Sequence, residues 1–136
     1  MPTRQIELVT SEINAKSSWG TASFDAQSTV MLHIRDVREP VQIRPVARMT
    51  IGRSDAATET YPDLDLTSYG AMEKGVSRIH AALLRTEESL TLVDLGSSNG
   101  THLNGQRLVA EQPRVVRDGD EIRFGKLVAH IYFQTR

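Results

Sequence analysis

Hydrophobic positions along the chain recur in short runs, and several of these runs alternate with polar residues. A period of two is typical of half-buried strands, and no stretch sustains the 3.6-residue period of a long amphipathic helix. The dipeptides Asn104-Gly105 and Asp118-Gly119 are strong signals for hairpin turns. The pattern predicts ten strands, at residues 30–35, 41–44, 48–52, 64–66, 78–85, 90–94, 101–103, 114–116, 121–124 and 127–133. Many short strands at close spacing indicate an all-β chain, folded as an antiparallel sandwich or barrel.

Three segments depart from this simple pattern. Residues 1–28 combine small polar residues with isolated apolar ones, which predicts a flexible N-terminal tail before a domain at 29–136. Residues 54–76 form a long polar connection around one short strand, and loops of that length in compact domains are often functional. The run 78–85 is apolar on both faces, so its register stays open.

Composition narrows the possible functions. The 136 residues suffice for one domain, and the formal net charge of -1 argues against nucleic acid or an anionic membrane as a partner. The absence of cysteine excludes disulfides, thiol catalysis and thiolate metal sites. The first residues lack the apolar run of a signal peptide and no window is long enough to span a bilayer, which predicts a cytoplasmic protein. The four histidines are scattered, so we expect no metal or cofactor.

The segment at 94–105, DLGSSNGTHLNG, has three possible interpretations. Its G-x-S-x-G pattern matches the nucleophile elbow of hydrolases, but an elbow needs a helix after the serine, and Asn104-Gly105 turns a hairpin there instead. The sequon Asn99-Gly100-Thr101 requires secretion, which nothing indicates. The third interpretation is a non-catalytic loop that displays small hydrogen-bonding side chains. We therefore expect no enzyme activity.

Three loops at strand ends carry the most suggestive chemistry. They are IGRS (51–54), GVSRIH (75–80) and GSSNGT (96–101). Taken singly, an arginine or a serine here is typical of a solvated surface or a turn. Brought together at one end of a sandwich, they would combine guanidinium groups, hydroxyls, an amide and backbone N–H donors, which is the chemistry of a phosphate receptor. The set has no obvious general base, so it would hold a phosphate and not cleave it.

The order and spacing of these motifs resemble those of the forkhead-associated (FHA) domain family over about residues 29–134. The matching motifs are Gly52-Arg53, Ser77-Arg78-Ile79-His80, the run from Asp94 to Thr101, Leu103-Asn104-Gly105, Asp118-Gly119-Asp120 and Phe124-Gly125. Each motif alone is weak, whereas the complete ordered set is specific. The resemblance implies an eleven-stranded antiparallel β-sandwich that binds phosphothreonine in partner proteins through the loops at one end.

The resemblance also implies roles for individual residues. Arg53 and Ser77 would contact the phosphate, and Arg78 would assist or reach the flanking peptide. Ser98 would lie near the phosphate or the threonine backbone, and Asn99 would hydrogen-bond the peptide main chain.

Further residues are implied to support the binding loops, namely Gly52, His80, Gly100 and Thr101. The 54–76 connection is longer than the minimal family loop, so the residue preferred three positions after the phosphothreonine stays open. Lys74, Arg78 and His102 are the candidates to contact it.

The function implied is a non-catalytic, phosphothreonine-dependent adaptor in Ser/Thr kinase signalling, with a kinase or its substrates as candidate partners. A pocket for the threonine methyl group would favour phosphothreonine over phosphoserine. The alternative is a phosphate-independent interaction module on the same fold, against which the intact Arg53, Ser77 and Asn99 argue. A second hypothesis concerns Thr10, which after phosphorylation would fold back into the site, unless the tail is an inert leader.

Overall fold

The computed structural model describes residues 20–134, which form eleven strands. The strands are β1 (Thr29–Ile34), β2 (Val41–Ile43), β3 (Arg48–Gly52), β4 (Leu64–Asp65), β5 (Ile79–Arg85), β6 (Leu90–Asp94), β7 (Thr101–Leu103), β8 (Gln106–Arg107), β9 (Arg114–Val115), β10 (Glu121–Phe124) and β11 (Leu127–Gln134). All ten predicted strands are present with ends that differ by at most one residue. The additional strand is β8, which is too short to show any alternation of its own.

The strands form two sheets that face each other as a sandwich, which confirms the predicted all-β class. One sheet has six strands in the order β2-β1-β11-β10-β7-β8, and the other has five in the order β4-β3-β5-β6-β9. Two short 3-10 helices, Ala56–Thr58 and Thr67–Tyr69, interrupt the long connections on either side of β4. The predicted 54–76 connection therefore contains local structure of its own.

One strand pairing departs from the antiparallel expectation. Strand β4 lies parallel to β3, with Ile51 opposite Leu64 and Gly52 opposite Asp65. A parallel neighbour requires a crossover of about a dozen residues, and the connection 53–63 supplies nearly that length. The other strand pairings of the described chain are antiparallel.

The hydrophobic core fills the space between the sheets. In β1, the inner residues Val30, Leu32 and Ile34 are buried, whereas His33 between them is exposed. The same alternation places further large side chains inside, among them Ile51, Leu83, Leu90, Leu92, Ile122, Phe124, Leu127 and Ile131. Burial of each such side chain contributes roughly 1.5–3 kcal/mol, so this layer holds the two sheets in register.

The expected boundary between tail and domain at residue 29 needs correction. Phe24 is completely buried, its ring meets Phe133 edge-on at 4.9 Å between centroids, and the Arg85 guanidinium lies 5.0 Å over it. A buried aromatic ring removes about 150–250 Å² from water, which is enough to anchor a polar segment. The folded body thus begins before Phe24. The rest of the expected tail, with Thr10, lies outside the described residues.

The open register of the 78–85 run is settled by a bulge. Opposite β5, Ile51 pairs with Ala81 while Gly52 pairs with Ile79, so His80 has no partner of its own on β3. Bulges redirect side chains next to functional sites. Here His80 is fully buried, and Ile79 is 38% exposed.

Candidate functional site

Three connections meet at one end of the sandwich, as the sequence predicts. They are residues 53–63 after β3, residues 66–78 before β5 and residues 95–100 between β6 and β7. Hydrogen bonds join them: the Arg53 N–H donates to the Arg78 carbonyl at 3.1 Å, and the Ser98 N–H donates to Ser77 Oγ at 3.1 Å. The structure therefore brings together the residues expected to bind phosphate.

Arg53 is held by one hydrogen bond of its backbone and by one of its side chain. Nε of Arg53 donates to the Val76 carbonyl at 2.8 Å, and the side chain is half-buried. Within residues 20–134, no carboxylate lies within salt-bridge distance of its guanidinium. Because a guanidinium is a permanent cation, this leaves a positive charge without a counter-ion among the described residues.

The Ser77 hydroxyl accepts one hydrogen bond and keeps its proton to donate. Its oxygen takes the Ser98 N–H, which fixes the position of Oγ between two of the loops. The backbone N–H of Ser77 donates in turn to Nδ1 of His80 at 3.0 Å. A hydroxyl placed in this way can give its proton to an anionic oxygen.

His80 connects two of the loops through hydrogen bonds of its ring. Its Nδ1 accepts from the Ser77 N–H, so the proton sits on Nε2, which donates to the Gly100 carbonyl at 2.9 Å. The ring also meets Phe124 edge-on at 5.7 Å between centroids. Burial lowers the pKa of His80, which outweighs the opposite influence of the Gly100 carbonyl and of Asp94. The neutral ring is therefore a structural link between two loops.

The 95–100 loop is organised around a buried carboxylate. Asp94 accepts hydrogen bonds from the hydroxyls of Ser97 and Thr101 and from the N–H groups of Gly96 and Ser97. Burial alone would raise the pKa of Asp94, but these hydrogen bonds outweigh it and hold the pKa below its usual range. Four donors converging on one carboxylate impose the shape of the loop. Sequence analysis did not assign this role to Asp94, although it lies in the matched motif.

Asn99 links the 95–100 loop to the 66–78 connection. Its Nδ2 donates to the Gly75 carbonyl at 3.0 Å, which leaves Oδ1 and one N–H for another molecule. Gly75 has a positive φ of 75°, and a Cβ there would lie 2.5 Å from Nδ2 of Asn99. A larger residue at position 75 would therefore strain the backbone and displace the Asn99 side chain.

Arg78 is engaged elsewhere. Its Nη1 lies 3.3 Å from Oδ2 of Asp55, which caps the first 3-10 helix. The pair tethers the long connection to the start of β5. Of the three candidates for the position after phosphothreonine, Lys74 and His102 line one groove of about 490 Å³ beside Asn99, whereas Arg78 does not line it. Sequence analysis missed two further basic residues of that groove, Arg123 in β10 and Lys126 in the β10–β11 turn.

The family model of the FHA domain matches residues 49–125, which is more than half of the chain and includes every loop described above. This chain belongs to the FHA domain family. A solved structure from work on phosphothreonine-dependent FHA domain interactions superposes with a TM-score of 0.62 at 27% identity, covering 79% of this chain and 99% of the other. EmbR of Mycobacterium tuberculosis, solved with a low-affinity phosphopeptide, gives a TM-score of 0.59 at 28% identity over 79% of this chain and 25% of EmbR.

Among curated proteins, this FHA chain is similar to the oxoglutarate dehydrogenase inhibitor of Corynebacterium diphtheriae. The two are 34% identical over 80 residues, which cover 59% of this chain and 52% of the inhibitor. The chain spans about half or less of the length of the curated relatives it matches.

The FHA fold also bears on the hydrolase interpretation. Strand β7 and not a helix follows Gly100, and both ring nitrogens of His80 are engaged, so His80 is not available as a base for Ser98. The described residues contain no group of three metal-binding side chains. From Gly20 to Gln134, no helix is long and apolar enough to cross a membrane.

Proposed function

We propose that this FHA domain is a non-catalytic, cytoplasmic adaptor that binds phosphothreonine in partner proteins of Ser/Thr kinase signalling. The observation that carries the proposal is the junction of Arg53, Ser77 and Ser98. A fixed guanidinium that has no counter-ion within residues 20–134 lies in the same loop cluster as a hydroxyl that can still donate. Phosphate is the ligand that such a set of donors fits.

Each proposed role follows from a group that the protein leaves available. Arg53 and Ser77 hold the phosphate, and the Ser98 hydroxyl, which is exposed, lies beside them. The remaining hydrogen-bonding groups of Asn99 take the peptide main chain. Arg78 assists from the edge, where its contact with Asp55 limits its reach.

A second set of residues supports the loops that carry these binding groups. The supporting residues are Gly52, His80, Gly100 and Thr101. Gly52 packs against the backbone of Arg78, the ring of His80 meets the Gly100 carbonyl, and the Thr101 hydroxyl donates to Asp94 at the other end of the 95–100 loop. The similarity to FHA structures studied with phosphothreonine or phosphopeptide ligands supports a phosphopeptide as the ligand.

The test replaces Arg53 with alanine. Peptides selected from a degenerate phosphothreonine library should bind the native chain, and Arg53→Ala should lose most of that affinity in titration calorimetry. Loss of the hydrogen bond to Val76 costs only about 0.5–1.5 kcal/mol of stability, so the variant stays folded. The matched control is Arg48→Ala, which removes an exposed arginine at the far end of β3, the strand that Arg53 follows.

Equal affinity of Arg53→Ala and the native chain would remove Arg53 from the site. Equal binding of phosphorylated and unphosphorylated peptides would favour the phosphate-independent interaction module instead.

A further inference from the structure

Another cavity lies at one open side of the sandwich, and none of the residues proposed to hold phosphothreonine line it. It has a volume of about 420 Å³, and its lining comes from the β7–β8 turn, from β9 and from the turn before β10. Strands β8 and β9 are terminal strands of the two sheets. Nη2 of Arg114 in β9 donates to Oε1 of Gln106 in β8 at 3.0 Å, so both terminal strands lie on this side of the sandwich.

The apolar part of the lining is formed by three side chains. Leu103 at the end of β7 is buried, whereas Pro113 and Val115 are exposed, with 45% of Val115 accessible to solvent. A concave site with an apolar floor and a few polar groups is typical of a ligand pocket. An aliphatic group that covers Leu103 and Val115 would remove apolar surface from water, which favours binding.

The charged part of the lining is mostly positive. It contains the guanidinium groups of Arg114 and Arg117 and one carboxylate, that of Asp120. This carboxylate is buried and accepts hydrogen bonds from Nδ2 of Asn104 at 2.9 Å and from the Arg117 N–H at 2.8 Å. Arg114 is exposed, and its partner Gln106 is neutral. Because a guanidinium has five N–H donors, most of those of Arg114 can bind an anion.

Strand β9 also offers main-chain groups at the edge of its sheet. The Val116 N–H donates to the Leu90 carbonyl at 2.9 Å, and the preceding residue Val115 lies opposite Thr91. Since alternate residues of an antiparallel strand bond to the same neighbour, the N–H and C=O of Val115 point away from β6. An extended segment can pair with such an edge, whereas a small free anion has no main chain to do so.

We propose that this cavity binds an extended segment of a partner protein in which an acidic and an aliphatic residue stand two positions apart. The carboxylate binds Arg114, and the aliphatic group covers Leu103 and Val115. A volume of about 420 Å³ corresponds to a width of roughly 7 Å, which matches the spacing of about 6.6 Å between side chains i and i+2 on one side of an extended segment.

The experiment uses capped pentapeptides that have glycine at both ends and Asp-Ser-Leu, Asn-Ser-Leu or Asp-Ser-Ala at the centre. Isocaproate serves as a free carboxylate that has a branched aliphatic group but no main chain. Binding is followed by chemical-shift changes in NMR titrations, which also detect weak complexes. The proteins are the native chain, Arg114→Gln and the control Arg48→Gln. The control removes an exposed arginine of β3, which β5 and β6 separate from β9.

We expect the Asp-Ser-Leu peptide to shift the signals of residues 103–104 and 113–120. The Asn-Ser-Leu peptide and the variant Arg114→Gln should each weaken binding about two- to fivefold, as for an exposed charge pair. The Asp-Ser-Ala peptide should bind about tenfold more weakly, because the burial of the leucine side chain is lost. Arg48→Gln should bind like the native chain, and isocaproate should bind more weakly than the Asp-Ser-Leu peptide.

Equal affinities of the Asp-Ser-Leu and Asn-Ser-Leu peptides, or an affinity that Arg114→Gln leaves unchanged, would overturn the inference. Isocaproate that binds as tightly as the peptide would also overturn it, because the ligand would then be a free carboxylate. Shifts confined to the loops of Arg53 and Ser77 would show that the acidic peptide only mimics phosphate. The absence of any shift would overturn the inference as well. None of these outcomes bears on phosphothreonine binding, which Arg53→Ala tests separately.

Discussion

Replacing Gly52 with alanine places a methyl group where the structure has a carbonyl. A Cβ at this position would lie 1.9 Å from the Arg78 oxygen and 2.8 Å from the Ser77 oxygen. Both contacts are with backbone atoms of the neighbouring loop, so no side-chain rotation relieves them. Strands β3 and β5 would have to separate by more than about 1 Å to restore ordinary contact distances of roughly 3.5 Å.

The cost follows from the contacts that must change. Overpacking a dense site typically costs about 1–3 kcal/mol. Separation also weakens the Arg53 N–H to Arg78 carbonyl bond of 3.1 Å, which adds about 0.5–1.5 kcal/mol. A total of roughly 2–4 kcal/mol is a large fraction of the 5–15 kcal/mol by which domains are usually stable. At about 4 °C per kcal/mol, the melting temperature should fall by roughly 10 °C.

The assay combines thermal and urea unfolding with phosphopeptide titration. Gly52→Ala should be destabilised and should also lose affinity, because Arg53 and Ser77 move with the strands that separate. The control is Gly105→Ala in the β7–β8 turn, where φ is 83° and no atom lies within 4 Å of the added Cβ. That variant carries only the backbone strain of about 1–2 kcal/mol and should bind normally.

The steric argument fails if Gly52→Ala is no less stable than Gly105→Ala. The proposed coupling to the site fails if folded Gly52→Ala binds phosphopeptide as tightly as the native chain does.

Further predictions concern the buried groups and the ligand. Burial lowers the pKa of His80, so on acidification the unfolded chain takes up a proton at this residue before the folded chain does. The contribution of the buried neutral ring to the free energy of unfolding is therefore complete above about pH 6.5 and declines as the pH falls below it. NMR titration of the ring checks this, and a midpoint at or above 6.5 would contradict it. Thr101→Val keeps the buried shape but removes the 2.7 Å bond to Asp94, which should cost about 1.5–3 kcal/mol in urea unfolding. A loss below about 0.5 kcal/mol would show that the other donors to Asp94 suffice. A phosphothreonine peptide should bind about fourfold more tightly than its phosphoserine counterpart, since one buried methyl contributes about 0.8 kcal/mol. Equal affinities of the matched pair would show that a methyl pocket is missing.

Local pattern was sufficient to predict most of the strands and the loops that form the candidate site. Alternation in segments such as 121–124 depends on which face of a strand is buried, and that is visible in neighbouring residues. The motif residues Arg53, Ser77 and Asn99 could be assigned to strand ends for the same reason. Glycines and turn residues interrupt the pattern there.

Long-range pairing decided the rest. The parallel position of β4, the two-residue β8 and the bulge that turns His80 inward depend on which distant segment lies alongside. No local period encodes such a choice, because it is made by the fit of whole surfaces. Phe24 shows the same limit, since a single aromatic residue in a polar segment has no periodic neighbours to indicate that it is buried.

The groove beside Asn99, which His102, Arg123 and Lys126 line, is the clearest product of tertiary structure alone. Arg123 follows His102 by about twenty residues in the sequence, yet the two are direct neighbours across β10 and β7. Sequence chemistry could name His102 as a candidate, but it could not supply Arg123 and Lys126 as its neighbours. Charges become a binding surface only when sheet pairing sets the distance between them, because electrostatic interaction falls with separation and is screened by solvent within about 10 Å.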